Sequence, residues 1–129
     1  MAISVHLEPT PLPPLPAPVE GAVYRIAAEA LANAVRHAGA ARCEVRVAAG
    51  RSTALLTVSD NGSGLPAQVR PGGVGLGSMA ERAREVGGSF EVVSDARGTS
   101  VRALLPTGGE TAEPVPRADG TRTGQGRDR

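Results

Sequence analysis

A glycine-rich stretch in the middle of the chain limits the folds available to it. Six of the 18 residues from 60 to 77 are glycine. Glycine weakens helices and strands because it loses more conformational freedom on folding than other residues do. The stretch is therefore predicted to form one long loop, and loops of this length inside a compact domain are usually functional or disordered.

The residues before this loop predict a strand, a helix and a hairpin. Residues 1–8 alternate apolar and polar side chains, as in a half-buried strand, and a proline-rich stretch at 9–18 predicts a stiff, extended connector rather than a partner ligand. Apolar residues recur at helical spacing over 19–38, and Gly39 is a natural terminator. Residues 42–47 alternate again and residues 52–59 predict a second strand, the two joined by a turn at Gly50, so an antiparallel hairpin is predicted.

The predicted helix has an apolar side and a polar side. Its apolar residues recur every three or four positions: Val23, Ala27, Leu31, Ala34 and Ala38. Arg25, Glu29, Asn33 and Arg36 are predicted to lie on the opposite side. An amide oxygen at Asn33 suits Mg²⁺, which prefers oxygen ligands and keeps several waters, and the guanidinium of Arg36 suits a phosphate. The alternative is a solvated polar face with a local Glu–Arg pair.

The residues after the loop predict a second helix and a second pair of strands. Ser78 and Glu81 have the spacing of a capping box, so a short helix is predicted over 79–86, followed by strands at 90–94 and 99–105. This order of elements predicts an α+β fold, a two-layer sandwich with helices on one face of a mixed, mostly antiparallel sheet. Residues 1–106 are predicted to form the domain, and 107–129 a disordered tail poor in large aliphatics.

Composition excludes several classes of function. All 14 basic residues are arginine, which rules out the Walker A lysine, the protein-kinase strand lysine and Schiff-base chemistry. The net charge of +1 gives no reason to expect nucleic-acid or membrane binding. One cysteine and two histidines are too few for a zinc site made of these residues alone. No segment approaches the roughly 18 apolar residues of a membrane span, so we expect a cytoplasmic location.

Two glycine motifs suit contacts with a nucleotide. Residues 60–64 read Asp-Asn-Gly-Ser-Gly directly after a predicted strand. Asp60 could accept a hydrogen bond from an exocyclic amine while Gly62 and Gly64 allow a planar base to approach the backbone; the alternative is a simple Asx turn. Residues 73–77 read Gly-Val-Gly-Leu-Gly and precede a helix whose free amides could hold phosphate oxygens. The alternative there is a flexible connector.

These motifs, taken together and in this order, resemble the ATP-binding catalytic domain of a bacterial two-component sensor histidine kinase. The helix at 24–38 resembles the N box, 59–64 the first glycine box, and 73–83 the lid with its second glycine box. Gly98-Thr99, running into Leu104-Leu105-Pro106, resembles the late Gly-Thr motif. The lid is most similar to that of the subfamily whose partners are NarL-type response regulators. The resemblance covers about residues 3–106.

The resemblance implies a Bergerat-type nucleotide fold, which uses no Walker lysine, with ATP and Mg²⁺ as cofactors. Glu29 would be the catalytic acid/base or water-orienting carboxylate, Asn33 the magnesium ligand, and Arg36 a phosphate contact. Asp60 would bind the adenine amine, supported through water by Thr99. The remaining implied contacts shape the base pocket or belong to the lid: Gly62, Gly64, Gly73, Gly75, Leu76 and Gly77.

The chain departs from the family at its start. The family places a phosphoacceptor histidine on a dimerising helical hairpin before the first strand, whereas only His6 precedes the N box here, within a predicted strand. We therefore expect a fragment of a longer, membrane-anchored or cytoplasmic kinase, inactive in autophosphorylation without its phosphoacceptor domain and dimeric only through domains outside this chain. The alternatives are a free-standing anti-sigma-factor-type serine kinase and a nucleotide-responsive binding module without phosphotransfer.

Overall fold

A computed structural model describes residues 1–65 and 75–108, with the backbone alone at 37 and 38. These ranges form one sheet and two α-helices in the order β1 (Ala2–Glu8), α1 (Ala17–Asn33), β2 (Arg42–Ala49), β3 (Thr53–Asp60), α2 (Leu76–Glu85), β4 (Ser89–Asp95) and β5 (Gly98–Pro106). A π-helical turn, Ala34–Ala38, continues α1. No helix within the described ranges is both long and apolar enough to span a bilayer.

The sheet has the strand order β1-β2-β3-β5-β4. β1 runs parallel to β2, and the other neighbouring strands are antiparallel. One core joins the sheet to both helices, with Ile26 of α1, Leu56 of β3, Met79 of α2 and Leu105 of β5 each no more than 1% exposed. The predicted two-layer α+β fold with a mixed, mostly antiparallel sheet is confirmed.

The buried face of α1 differs from the predicted one. The helix begins at Ala17, two residues before the predicted start, and buries Val19, Ala22, Ile26, Ala30 and Asn33. Of the residues predicted to face the core, Val23, Ala27 and Leu31 are only partly buried against its margin, whereas Ala34 is fully buried. Asn33 was predicted on the polar side, yet it is 7% exposed. The phase was misjudged because alanine occupies so many positions of this helix that its apolar stripe is poorly defined.

Three other expectations about local structure are corrected. β1 is a strand, but all of it is exposed rather than half-buried. Ser78 forms no capping box, because α2 begins at Leu76 with Gly75 as its N-cap and no side-chain cap. The proline-rich connector is more than a spacer, since Leu12 and Leu15 pack against the core.

The predicted tail begins with a residue that is tied to the sheet. Thr107 donates its backbone N–H to the carbonyl of Ser52 at 2.8 Å, which anchors the chain just beyond β5. Residues 109–129, where the disordered tail was predicted, lie outside the described residues.

Cys43 couples the stability of the sheet to alkaline pH. It lies in β2, 2% exposed and directly opposite Asp60 of β3. Burial, and secondarily the charge of Asp60, raises the pKa of the thiol from 9.0 to about 11. The folded chain therefore holds this proton to higher pH than the unfolded chain, so the free energy of unfolding should fall between about pH 9 and about pH 11.

We expect this loss to be on the order of 2 to 3 kcal/mol and to vanish in Cys43→Ala. Urea unfolding of both proteins at about pH 8 and about pH 10.5 measures it. The test is favourable because the chain has no lysine, whose ammonium would titrate in the same range. Parallel losses in the wild type and in Cys43→Ala would contradict this assignment.

Candidate functional site

A small pocket opens where α1 and α2 meet the ends of β3 and β5. Asp60 and Thr99 face each other directly in the β3–β5 register, and Asn33 reaches the same pocket from α1. The full lining is Ala30, Asn33, Val58, Asp60, Leu65, Leu76, Thr99 and Val101. The pocket encloses about 10 Å³, close to the space that one water molecule needs. A purine is much larger than this volume, so the pocket would have to widen before it could bind one.

Asp60 lines the pocket and closes a turn through one of its two carboxylate oxygens. The backbone N–H of Gly62 donates to Oδ1 of Asp60 at 2.8 Å, which is the Asx-turn geometry. The turn uses Oδ1, so Oδ2 is the atom that could accept a hydrogen bond from an exocyclic amine. The turn interpretation and the base-binding interpretation of Asp60 are therefore compatible.

A hydroxyl pair holds the glycine loop against β4 and β5. Ser94 Oγ accepts the backbone N–H of Leu65 at 2.8 Å and lies 3.0 Å from Oγ1 of Thr99. The sequence reasoning missed Ser94, although its place opposite Thr99 in the β4–β5 hairpin could have indicated it. Ser94 fixes one wall of the pocket and orients the Thr99 hydroxyl.

Asn61 connects the pocket to the end of the N-box helix. Its Oδ1 accepts the backbone N–H groups of Ala41 at 3.0 Å and of Arg42 at 2.7 Å. Its own N–H donates to the carbonyl of Arg42 at 3.1 Å. The residue after Asp60 therefore fixes where the chain leaves the π-helical turn and enters β2. These hydrogen bonds of Asn61 were also not predicted from the sequence.

Two glycines are required by close backbone approach around the pocket. Gly64 has φ +91°, and a side chain there would collide with the backbone carbonyl of Asp95. Gly98 has φ +147° and would place a side chain against the backbone carbonyl of Asp60. Left-handed backbone of this kind favours glycine. Gly62, the third glycine at this end, is buried.

Asn33 is a suitable ligand for a hard cation. Its side chain is nearly buried and lines the pocket, and an amide oxygen is one of the donors that Mg²⁺ accepts. No group of three His, Cys, Asp or Glu side chains within residues 1–65 and 75–108 could hold a metal ion. A magnesium ion here would therefore depend on Asn33 together with water and phosphate oxygens.

An open groove of about 350 Å³ lies between α1 and α2 beside the pocket. Glu29 and Arg36 line it, along with two arginines that the sequence reasoning did not assign to the site, Arg25 and Arg82. Glu29 packs against the N-cap of α2, because a side-chain carbon added to Gly75 would lie 2.6 Å from Cδ of Glu29. A carboxylate is favoured at a helix N-terminus by the exposed amides there.

The structure thus divides the predicted site residues between two neighbouring spaces. Asn33, Asp60 and Thr99 share the pocket with Leu76, whereas Glu29 and Arg36 lie in the groove. Of the lid residues, Gly75 is the N-cap of α2 and Gly77 lies in its first turn. Gly73 lies outside the described residues.

Comparison with known proteins matches the chain to one family. The model described as "Histidine kinase-, DNA gyrase B-, and HSP90-like ATPase" matches residues 19–109. The chain is 41% identical over 90 residues to sensor histidine kinase LiaS of Bacillus subtilis, covering 68% of this chain and 25% of that protein. It is 37% identical over 97 residues to sensor histidine kinase MctS of Rhizobium johnstonii, covering 71% and 21%. The chain thus spans a quarter or less of these relatives.

Solved structures agree with the sequence matches. The histidine kinase domain of a blue-light-activated kinase from Erythrobacter litoralis superposes with a TM-score of 0.62 at 25% identity, over 82% of this chain and 55% of that one. Histidine kinase AdeS of Acinetobacter baumannii gives a TM-score of 0.65 over 83% and 54%, and at 12% identity it shows the fold alone.

These relatives do not favour either alternative to a histidine kinase domain. The curated relatives quoted above carry the name sensor histidine kinase, and the family match covers well over half of the chain. This chain therefore belongs to the histidine kinase-, DNA gyrase B- and HSP90-like ATPase family, as a domain of the sensor histidine kinase type.

Proposed function

We propose that this chain binds Mg-ATP and donates its γ-phosphate to a histidine on a separate phosphoacceptor and dimerisation domain. The observation that carries the proposal is the meeting of Asp60, Asn33 and Thr99 in one pocket, one helical turn from Glu29 in the adjoining groove. The proposed base-binding carboxylate and the proposed magnesium-binding amide therefore share one pocket, and the proposed acid/base carboxylate lies one helical turn before Asn33 on α1.

The adenine end of the proposed site depends on Asp60. Its Oδ2 would accept the exocyclic amine, while Thr99, held by Ser94, would support the base through water. Gly62 and Gly64 keep side chains out of this end, and Gly64 could not carry one without colliding with Asp95. The apolar walls, Leu65 and Leu76, would cover the faces of the ring.

The phosphate end depends on α1 and on the start of α2. Asn33 would hold Mg²⁺, which neutralises phosphate charge when bound. Backbone amides at Gly75, Leu76 and Gly77 would contact phosphate oxygens at the N-terminus of α2, with Gly73 of the lid proposed to do the same. Arg36 would add a guanidinium from the groove.

Glu29 would act on the proton or the water nearest the transferred group. The acceptor imidazole forms a bond to the γ-phosphorus as the bond to ADP breaks, and positioning with charge neutralisation accounts for most of the rate in such transfers. Glu29 already lies in the groove at the α2 N-cap. It would orient the acceptor or take its proton as the phosphate arrives.

Two partners belong to the same proposal. Because this chain spans about a quarter of LiaS, we propose that a longer protein supplies the phosphoacceptor domain. We also propose a response regulator of the NarL type as the downstream partner, and a cytoplasmic location.

Two measurements test the proposal. Calorimetric titration of the 129-residue chain with ATP, with and without Mg²⁺, should show magnesium-dependent binding. A purified helical domain carrying a phosphoacceptor histidine, added with γ-labelled ATP, should then gain acid-labile phosphate. A folded chain that binds no ATP would overturn the proposal, and ATP binding without any transfer would favour the nucleotide-responsive module.

Glu29→Gln separates binding from transfer. We expect the rate of phosphotransfer to fall by roughly 100-fold or more, with ATP affinity nearly unchanged because the adenine and magnesium contacts remain. Glu20→Gln is the matched control, since Glu20 lies in the first turn of α1 and is exposed. Equal transfer rates in the wild type and in Glu29→Gln would remove Glu29 from the mechanism.

A further inference from the structure

Within residues 1–65 and 75–108, no strand pairs with the outer edge of β1, and the hydrogen-bonding groups at that edge belong to three residues. Ala2 donates its N–H to the carbonyl of Ala41 at 2.9 Å, so Ala2 points its backbone groups toward β2. Because these groups alternate in direction along a strand, Ile3, Val5 and Leu7 point their N–H and C=O groups away from β2. In the sheet of the described residues, β1 is an edge strand and β2 is its neighbour.

The same three residues carry exposed apolar side chains. They are in register with Cys43, Val45 and Val47 of β2, so they lie on the face of the sheet that carries the core. Their β2 partners are 7% exposed or less, whereas Ile3, Val5 and Leu7 are 52%, 61% and 37% exposed. The helix layer covers β2 and ends before β1.

We propose that β1 is a self-association edge, which pairs in antiparallel fashion with β1 of a second copy around Val5. This register places Val5 opposite Val5 of the second copy and Ile3 opposite Leu7. All of these are hydrogen-bonded pairs, because the free backbone groups of both strands belong to the same residues. The pairing joins the two apolar rows on one face, where cross-strand pairs of this kind stabilise a sheet.

β1 is compatible with itself in this register, because no like charges face each other across the seam. In the Val5-centred register, Ser4 faces His6, and Glu8 faces Ala2, so the two Glu8 carboxylates lie at opposite ends of the seam. β1 contains no proline or lysine, the residues that commonly block an edge strand. β4, the other edge strand, carries Glu91 and Asp95, so pairing two copies there would gather four carboxylates.

The expected dimer is symmetric and weak. A twofold axis through the Val5 pair is perpendicular to the sheet, so it gives one continuous sheet with the helices of both copies on the same face. Seven residues on each side form an interface well below the roughly 20 to 30 residues a side of a standard specific complex. We therefore expect a dissociation constant on the order of 100 µM, by a route separate from any dimerisation domain outside this chain.

Sedimentation equilibrium of the 129-residue chain tests the proposal, from about 5 to about 500 µM. The wild type should show a reversible monomer–dimer equilibrium. Val5→Asp should weaken it by about tenfold or more, because two carboxylates would meet on the axis. Ser4→Asn changes the other face of the same strand without placing a second carboxylate beside Glu44, so it should dimerise like the wild type. A wild type that stays monomeric throughout would overturn the proposal.

Amide hydrogen exchange tests the register directly. At low concentration the amides of Ser4 and His6 should be protected by β2 while those of Ile3, Val5 and Leu7 exchange freely. Raising the concentration should protect the second group and leave the first unchanged. Dimerisation without this alternating pattern, or equal dimerisation by Val5→Asp with its circular dichroism intact, would exclude the β1 edge as the interface. Neither measurement depends on nucleotide binding, so failure here leaves the proposed function unaffected.

Discussion

Asp60→Asn should weaken ATP binding by about 100-fold or more, which corresponds to about 2.7 kcal/mol. The reason lies in the turn that Asp60 closes. Gly62 donates to Oδ1, so an asparagine would keep its oxygen there and turn its NH₂ group toward the pocket. That NH₂ group would face the amine of adenine. Two hydrogen-bond donors would then oppose each other, in place of the acceptor–donor pair proposed for the wild type. Calorimetric titration with ATP measures the change.

The binding of inosine triphosphate provides a second test of Asp60→Asn. Its base carries a carbonyl oxygen in place of the amine, so the wild type should prefer ATP and Asp60→Asn should lose or reverse that preference. Asp95→Asn is the matched control, because Asp95 closes the same kind of turn by accepting the N–H of Arg97 at 2.8 Å. Equal ATP affinity in the wild type and in Asp60→Asn would contradict the placement of adenine.

Strands in which apolar and polar residues clearly alternate could be predicted from the sequence, but how deeply they are buried could not. The period-2 pattern of β2 survives in the structure, whereas β3 buries Ala54, Leu55 and Leu56 in succession. Gly39, at φ +59°, ends the first helix as expected. The exposure of β1 depends on how far the helix layer reaches across the sheet, which a single strand's pattern does not encode. The π-helical turn after Asn33 depends on tertiary packing rather than on local residue preference.

The site residues, too, could be predicted from the sequence only in part. Asp60, Asn33 and Thr99 were named from motif positions, and the structure brings them into one pocket. Asn61 acts through hydrogen bonds to residues 19 and 20 positions away in the chain, so no local spacing indicates it. Ser94 accepts the N–H of Leu65, 29 positions away, and only its hairpin partner Thr99 could have indicated it. Arg25 and Arg82 become neighbours of Glu29 only when α1 and α2 pack together.

Gly98→Ala should lower the free energy of unfolding by about 3 kcal/mol or more. Gly98 starts β5 with φ +147°, and an added carbon would collide with the carbonyl oxygen of Asp60 and approach its carbonyl carbon to 3.0 Å. Both groups are backbone, so the clash cannot be relieved by rotating a side chain. The ends of β3 and β5 would have to separate, which should also weaken ATP binding because Asp60 and Thr99 would no longer face each other.

Gly21→Ala provides a control in which the same substitution has the opposite effect. Gly21 lies inside α1, and a carbon added there meets no atom within 4 Å. Alanine is the better helix former, so this variant should gain about 0.5 to 1 kcal/mol. Urea unfolding of the wild type and both variants under one set of conditions compares them. A Gly98→Ala protein as stable as the wild type would mean that the β3–β5 contact at Asp60 is looser than the structure shows, and the geometry of the adenine pocket would have to be revised with it.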